Sequence, residues 1–335
     1  MIPFNIIGKG ALMRMTKKLI ILLTFACFSL VGCQNTSGEL LAYEEMKASA
    51  GSVFDNQFTE ADFFAENLAI ITEEDNHGED PILTSKANLL VNITDNEVIY
   101  ADHVYDRLYP ASLTKLMTAL IALQNGELTD TVTISYNASH IAESGAKLCG
   151  FHEGDTISLE SLLYALLIYS GNDAGTAIAE HVGKSEENFV KMMNEEAKKL
   201  GAVHSNFVNA HGLHNDNHYT TAYDLYLIFH QLIQYDTFLS IINTPSYKAV
   251  YKDIEGNEKQ MTFQTTNQFL NGKADPVPGI EIIGGKTGTT HKAGNCLILL
   301  CQDSKHKEYI SLILNSPDSD QLYSQMSHML SSLTE

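Results

Sequence analysis

Basic residues are scarce in this chain. Lys and Arg number 21 against 41 Asp and Glu over 335 residues, a formal net charge of -20. A surface that acidic repels phosphate backbones, which excludes nucleic acid as a partner. Arginine is scarcer still: only Arg14 and Arg107 occur. Five cysteines are present, and two of them, Cys27 and Cys33, lie in or at the end of an N-terminal apolar run. The other three, Cys149, Cys296 and Cys301, are an odd number and make no disulfide framework. Cys296 and Cys301 are five apart on a predicted strand, so they face opposite ways and do not bridge. All three read as small buried hydrophobes, and their spacing matches no metal site. The chain also lacks an apolar run of the ~20 residues that a membrane-crossing helix needs, and it carries no internal repeat. What is present, 44% hydrophobic and 19% charged residues, suits one large or two small globular domains with a sizeable core.

The apolar run Leu19 to Val31 follows the basic cluster Arg14, Lys17 and Lys18. Its length and order are those of a signal-peptide h-region. It ends in Leu30-Val31-Gly32-Cys33, which resembles the bacterial lipobox, where the cysteine is lipidated and becomes the mature N-terminus. The resemblance implies a lipoprotein signal peptide over 1–33, a lipid on Cys33, and a chain held on the outer side of the bacterial membrane. Because the basic cluster lies well beyond Met1, Met13 and Met15 are alternative starts. Residues 34–82 are acidic and rich in Ser, Gly and Asn, and read as a tether with a short helical stretch at Ala61 to Ile71. The folded domain is expected over 83–335.

Within that domain strands come first and last. Ala87 to Asn92 and Glu97 to Ala101 flank Thr94-Asp95-Asn96 and predict a hairpin. Leu113 to Gln124 is an apolar helix with Gly126 just beyond it. Ser158 to Tyr169 carries a leucine stripe at helical spacing. Ser185 caps a further helix that ends before Gly201, and Thr221 to Gln234 makes another. Tyr247 to Tyr251 and Lys259 to Phe263 flank a turn at Glu255-Gly256-Asn257. Strands at Ile280 to Thr289, Asn295 to Cys301 and Tyr309 to Asn315 follow, and Asp318 to Leu333 closes with a helix. The order argues an α+β fold whose antiparallel sheet is formed by both chain ends around a helical insertion.

Three short motifs bear chemistry. In Ser112-Leu113-Thr114-Lys115, a spacing of three puts Ser112 and Lys115 on one helix face. A serine hydroxyl becomes a nucleophile when a base takes its proton, and a lysine is such a base once burial or another cation lowers its pKa. Lys115 sits among Leu116, Met117, Ala119 and Leu120, which gives it reason to be desolvated. Alone, the motif also describes a capped helix with a surface lysine. Ser170-Gly171-Asn172 follows the leucine-striped helix; its serine can relay a proton and its amide can orient a carbonyl, although an ordinary interhelical turn uses the same residues. Lys286-Thr287-Gly288-Thr289 lies in an apolar strand, where a lysine is unusual. It offers a second cation to depress Lys115 and to attract an anionic substrate end, while Gly288 lets a substrate backbone come close. The same residues could end a Walker A loop, but that motif needs glycine at position 280, where Ile280 stands, and a following helix where another strand is predicted.

The three motifs in this order resemble the penicillin-recognising serine enzymes. Their flanks, Tyr109-Pro110-Ala111-Ser112 through Thr118, Leu163 to Ala174, Asn209 to Asp224 and Gly285 to Gly294, resemble the low-molecular-weight D-alanyl-D-alanine carboxypeptidases over about Ala87 to Asn315. The resemblance implies a β-lactamase-like fold and an acyl-enzyme on Ser112, formed from the D-alanyl-D-alanine end of a peptidoglycan stem peptide. It makes Lys115 the base, Ser170 the proton relay to the leaving D-Ala with Lys286 tuning it, and Asn172 the residue orienting substrate amide and Lys115. It places the oxyanion on backbone N–H groups of Ser112 and Thr289, gives Lys286, Thr287 and Gly288 to substrate binding, and requires no cofactor. β-Lactams are then covalent inhibitors at the same serine. Family members often carry a further domain after the Lys-Thr-Gly sheet or a terminal membrane helix; with fewer than fifty residues after Gly288, neither is expected, and the lipid takes the place of the anchor.

Arg107 lies upstream of the nucleophile, so recognition of the substrate carboxylate is expected to rest on Lys286 and Thr287, helped by Lys273. His204, His211, His214 and His218 cluster in sequence and read as a polar loop at the rim rather than a metal site. A β-lactamase or D,D-endopeptidase on the same fold is the near alternative; the former usually adds a carboxylate base, and Glu143 precedes the second motif without anything marking it for that role. A catalytically inactive penicillin-binding wall protein is the alternative from another class.

Overall fold

The computed structural model describes residues 68–76 and 79–334. Contacts divide the chain into Met1–Phe63 and Phe64–Glu335, and every described residue belongs to the second unit. Cys33, the signal segment and the first part of the tether therefore lie outside the described residues.

In chain order the elements are β1 (Ala87–Asn92), β2 (Glu97–Asp102), α1 (Thr114–Asn125), β3 (Thr131–Thr133), α2 (Tyr136–Ser139), β4 (Thr156–Ser158) and α3 (Leu159–Tyr164). Next come α4 (Asn172–Gly183), α5 (Glu186–Lys199), α6 (Ala222–Leu232), α7 (Asp236–Ile242), β5 (Ser246–Lys252), β6 (Glu258–Gln264) and α8 (Gln268–Asn271). The chain closes with β7 (Ile280–Thr290), β8 (Gly294–Asp303), β9 (Glu308–Ser316) and α9 (Ser319–Ser331). The expected α+β architecture is present: one five-stranded antiparallel sheet, in the order β2-β1-β9-β8-β7, joins the two ends of the described chain. The predicted hairpin β5–β6 forms, but it joins β3 and β4 in a separate four-stranded sheet, β3-β4-β5-β6.

The large sheet is covered on both faces, which is why β8 reads as an unbroken apolar run rather than an alternating one. On one face Leu89, Val91, Cys296, Ile298, Leu300, Ile310 and Leu312 pack with the helical insertion. On the other, Leu90, Leu297, Leu299, Cys301 and Ile313 pack under α9 through Leu322, Met326 and Leu330. Cys296 and Cys301 thus sit on opposite faces, both buried, whereas Cys149 is only half-buried and lies elsewhere, in the loop before β4.

Helix α1 buries every residue from Thr114 to Ala122; a helix apolar on all sides belongs in a core. The leucine-striped segment starts on a Ser158 side chain that accepts from Ser161 N–H, then widens into a single π-helical stretch, Ala165–Tyr169. Ser185 and Asp318 cap α5 and α9 through their side chains. The short elements β3, β4, α2, α7 and α8 went unpredicted, because three to seven residues hold too little periodicity to be read.

The packed part of the chain begins earlier than Ile82. Leu68, Ala69 and Ile71 are buried in the main core, Ala69 N–H donates to Tyr226 Oη (3.1 Å), and Tyr105 Oη donates to the Ile71 carbonyl (2.6 Å). Residues 68–71 are also not helical. This apolar island inside an acidic stretch is held by the domain, so residues 68–71 pack as part of it rather than as tether.

Candidate active site

The nucleophile candidate sits on a 3₁₀ turn, Ala111–Leu113, that runs directly into α1. Ala111 adopts φ 47, a left-handed conformation that costs a non-glycine residue about 1–2 kcal/mol. Gly212 holds that turn from behind: a Cβ on Gly212 would lie 1.9 Å from the Ala111 carbonyl oxygen. Strand β7 holds it from the side, since a Cβ on Gly288 would meet Pro110 O at 3.1 Å, Ser112 N at 3.1 Å and Leu113 N at 3.2 Å. Gly288 therefore gives close approach, as expected of it, but what approaches its Cα is the nucleophile turn itself.

Lys115 is fully buried. Its Nζ lies 2.9 Å from Ser112 Oγ, 2.8 Å from Asn172 Oδ1 and 2.6 Å from the His211 carbonyl oxygen. A neutral amine has two hydrogens and one lone pair. With the hydrogens donated to Asn172 and the His211 carbonyl, the lone pair is left for the Ser112 hydroxyl, which is the arrangement of a general base. Burial pushes the Lys115 pKa down to about 7, the charge of Lys147 pushes the same way, and Cys149 and Asp173 oppose it. Burial rather than Lys286 is thus the main cause. Lys286, also buried, is held well below the usual lysine range by burial and by repulsion from Lys115.

Ser170 ends the π-helical stretch at φ 75, ψ 34. One extra residue in that last turn and a left-handed exit throw its hydroxyl toward β7, where Lys286 Nζ donates to Ser170 Oγ (3.0 Å) and to the Thr287 carbonyl (2.8 Å). π-Turns are rare and cluster at functional sites. Asn172 opens α4, and its backbone N–H donates to the Lys147 carbonyl (2.7 Å). Thr287 Oγ1 and Thr266 Oγ1 share a hydrogen bond (2.6 Å), and Thr289 Oγ1 donates to Asn295 Oδ1 (3.2 Å). β7 is the outer strand of its sheet, so one backbone edge faces the site.

These groups border one open cleft of about 320 Å³, lined by Ser112, Ser170, Asn172, Thr287, Gly288 and Thr289 among others. The residues of all three motifs meet there. Lys273 does not: it is exposed after α8 and outside the lining. Glu143 is exposed and also outside the lining. The four histidines have separate partners. His211 and His218 are buried, with pKa values pushed by burial down to about 3 and about 4, and His218 Nε2 pairs with Thr114 Oγ1 (2.8 Å). His214 packs edge-on against Tyr109, and His204 lies beside Asp224. Among the described residues no group of three His, Cys, Asp or Glu could hold a metal ion.

Three cleft contributors carry no sequence signal. The His211 carbonyl could belong to any residue type, Thr266 reaches the site from the end of β6, and Lys147 lies in the loop before β4.

The family model for D-alanyl-D-alanine carboxypeptidases, peptidase family S11, matches residues 74–318. Over 220 residues the chain is 34% identical to D-alanyl-D-alanine carboxypeptidase DacF of Bacillus subtilis (strain 168), covering 64% of this chain and 53% of that protein. Over 258 residues it is 31% identical to DacC of Escherichia coli (strain K12), covering 75% of this chain and 59% of that one. The chain thus spans between half and three fifths of these relatives' length. Among solved structures, the Streptomyces K15 DD-transpeptidase superposes with a TM-score of 0.70 at 26% identity, covering 77% of this chain and 100% of that one. Motifs, geometry and match agree, and the chain belongs to the S11 family of D-alanyl-D-alanine carboxypeptidases.

Proposed function

We propose that the chain is a serine D-alanyl-D-alanine carboxypeptidase that removes the terminal D-Ala from peptidoglycan stem peptides outside the cytoplasm. The observation that carries this reading is the buried Lys115 amine, 2.9 Å from Ser112 Oγ, with its other two partners fixed by the protein. Lys115 takes the hydroxyl proton as Ser112 Oγ bonds to the penultimate D-Ala carbonyl carbon. Backbone N–H groups of Ser112 and Thr289 receive the oxyanion; one such donor is typically worth ~10²–10³ in rate. The tetrahedral adduct collapses with loss of the D-Ala amine, which takes its proton from Ser170 Oγ; the proton that Lys115 removed from Ser112 returns to Ser170, so both residues are reset, and Lys286, 3.0 Å away, holds and tunes that hydroxyl. Water then releases the shortened peptide and frees Ser112. Asn172 orients the substrate amide, and Gly288, Thr287 and Lys286 border the leaving end. A lipid on Cys33 would keep the domain beside its substrate.

A β-lactam follows the first half of this path. No carboxylate lines the cleft among the described residues, so nothing there plays the part of an added deacylation base, and the penicillin acyl group should stay. Intact mass spectrometry after incubation with a penicillin tests this beside a Ser112→Ala control. An adduct on the wild type alone, lasting minutes or longer, supports the carboxypeptidase; rapid turnover would mean a β-lactamase, and neither adduct nor turnover an inactive binding protein.

A further inference from the structure

The cleft of this acidic chain is itself free of acid. Among its described lining residues there is no Asp or Glu, and the only lysine or arginine is Lys147. Lys115 and Lys286 are buried behind the lining and bonded to Ser112, Asn172, Ser170 and backbone carbonyls. His211, which also lines the cleft, is neutral, its pKa being held at about 3 by burial. Lys147 is an exposed residue whose ammonium, its pKa lowered by partial burial, makes no hydrogen bond or ion pair among the described residues. It lies 4.2 Å from the centroid of the Tyr169 ring, and Tyr169 is the residue before Ser170. The backbone of Lys147 is tied to the same wall through the Asn172 N–H. Lys147 thus belongs to the wall of the cleft that carries Ser170 and Asn172, and in a substrate cut at its last peptide bond a carboxylate lies two bonds beyond the leaving nitrogen.

We propose that Lys147 binds the free C-terminal carboxylate of the substrate and so makes the site an exopeptidase. The inference rests on the carboxypeptidase reading above and replaces Lys273 as the helper of Thr287. A hydrogen-bonded charge of this kind is worth about 1.5–3 kcal/mol, or roughly 10- to 100-fold. Because Lys147 also bears on the pKa of Lys115 and Lys286, its loss changes the rate on every substrate, and only a ratio isolates recognition.

The test compares kcat/KM of the full chain on two synthetic stem peptides ending in D-Ala-D-Ala, one with a free carboxylate and one with a C-terminal amide. The wild type prefers the carboxylate, Lys147→Ala lowers that preference at least tenfold, and Lys147→Arg keeps most of it. If Lys147→Ala slows both peptides by the same factor, or neither, Lys147 does not read the carboxylate and the inference falls while the carboxypeptidase reading stands. A wild type that cuts neither peptide overturns both.

Discussion

At the scale of single residues, the site works by taking two ammonium groups out of water and giving each a hydroxyl partner. Removing a charge from water is costly, and a lysine meets that cost by giving up its proton. With its pKa lowered to about 7, Lys115 can act as the proposed base only when neutral. The acylation rate should therefore rise with pH through about 7 and level off above it, falling close to tenfold per unit on the acid side. Stopped-flow acylation by a chromogenic β-lactam across pH 5–9 measures this limb; a flat profile through 7 would rule Lys115 out as the base. The proposed mechanism gives Ser170 a separate duty. Ser170→Ala removes the proton donor to the leaving amine and should cut kcat on a peptide by about 10²–10³, as steady-state release of D-Ala would show. The two serine–lysine partnerships are legible in the sequence because each chemical type is fixed by a short motif. The third acceptor of Lys115 is not, since a backbone carbonyl has no side-chain identity.

At the scale of elements, precision comes from glycines that let backbones touch. Strand β7 reaches the nucleophile turn because Gly288 has no side chain. Gly288→Ala should part strand and turn by a few tenths of an ångström and pull Thr289 N–H out of place, lowering the acylation rate by about 10- to 100-fold with little change in melting temperature. Gly212→Ala is different in kind. At φ +82 and 1.9 Å from the Ala111 carbonyl, the added methyl meets fixed backbone, and a stability loss of about 3 kcal/mol is expected in urea unfolding. The π-helical stretch before Ser170 belongs to this scale too. A helix was readable from the leucine stripe, but the change of pitch that aims Ser170 is set by packing and leaves no mark on the spacing.

At the scale of the molecule, the domain is closed by its ends. β1 pairs with β9, some two hundred residues away, and carries β2 on its other edge, while Leu68, Ala69 and Ile71 lie in the core. A chain shortened to begin at Ile82 should be less stable than one beginning at Phe64 by about 3 kcal/mol, the order of burying a Leu and an Ile; comparative urea midpoints of the two truncations would decide it.

The sequence alone determined the chemistry on offer and the order of the elements, because residue type and periodicity are local properties. It carried the three motifs, the cap at Ser185, and the apolar runs of β7, β8 and β9. Only the tertiary structure decided what those motifs face. The depressed pKa of Lys115 depends on how deeply α1 is buried, the division of the strands into two sheets depends on which edges meet, and Lys147 and Thr266 reach the cleft through loops with no pattern of their own. Contacts between residues far apart in the chain are set by packing, and packing is a property of the whole fold.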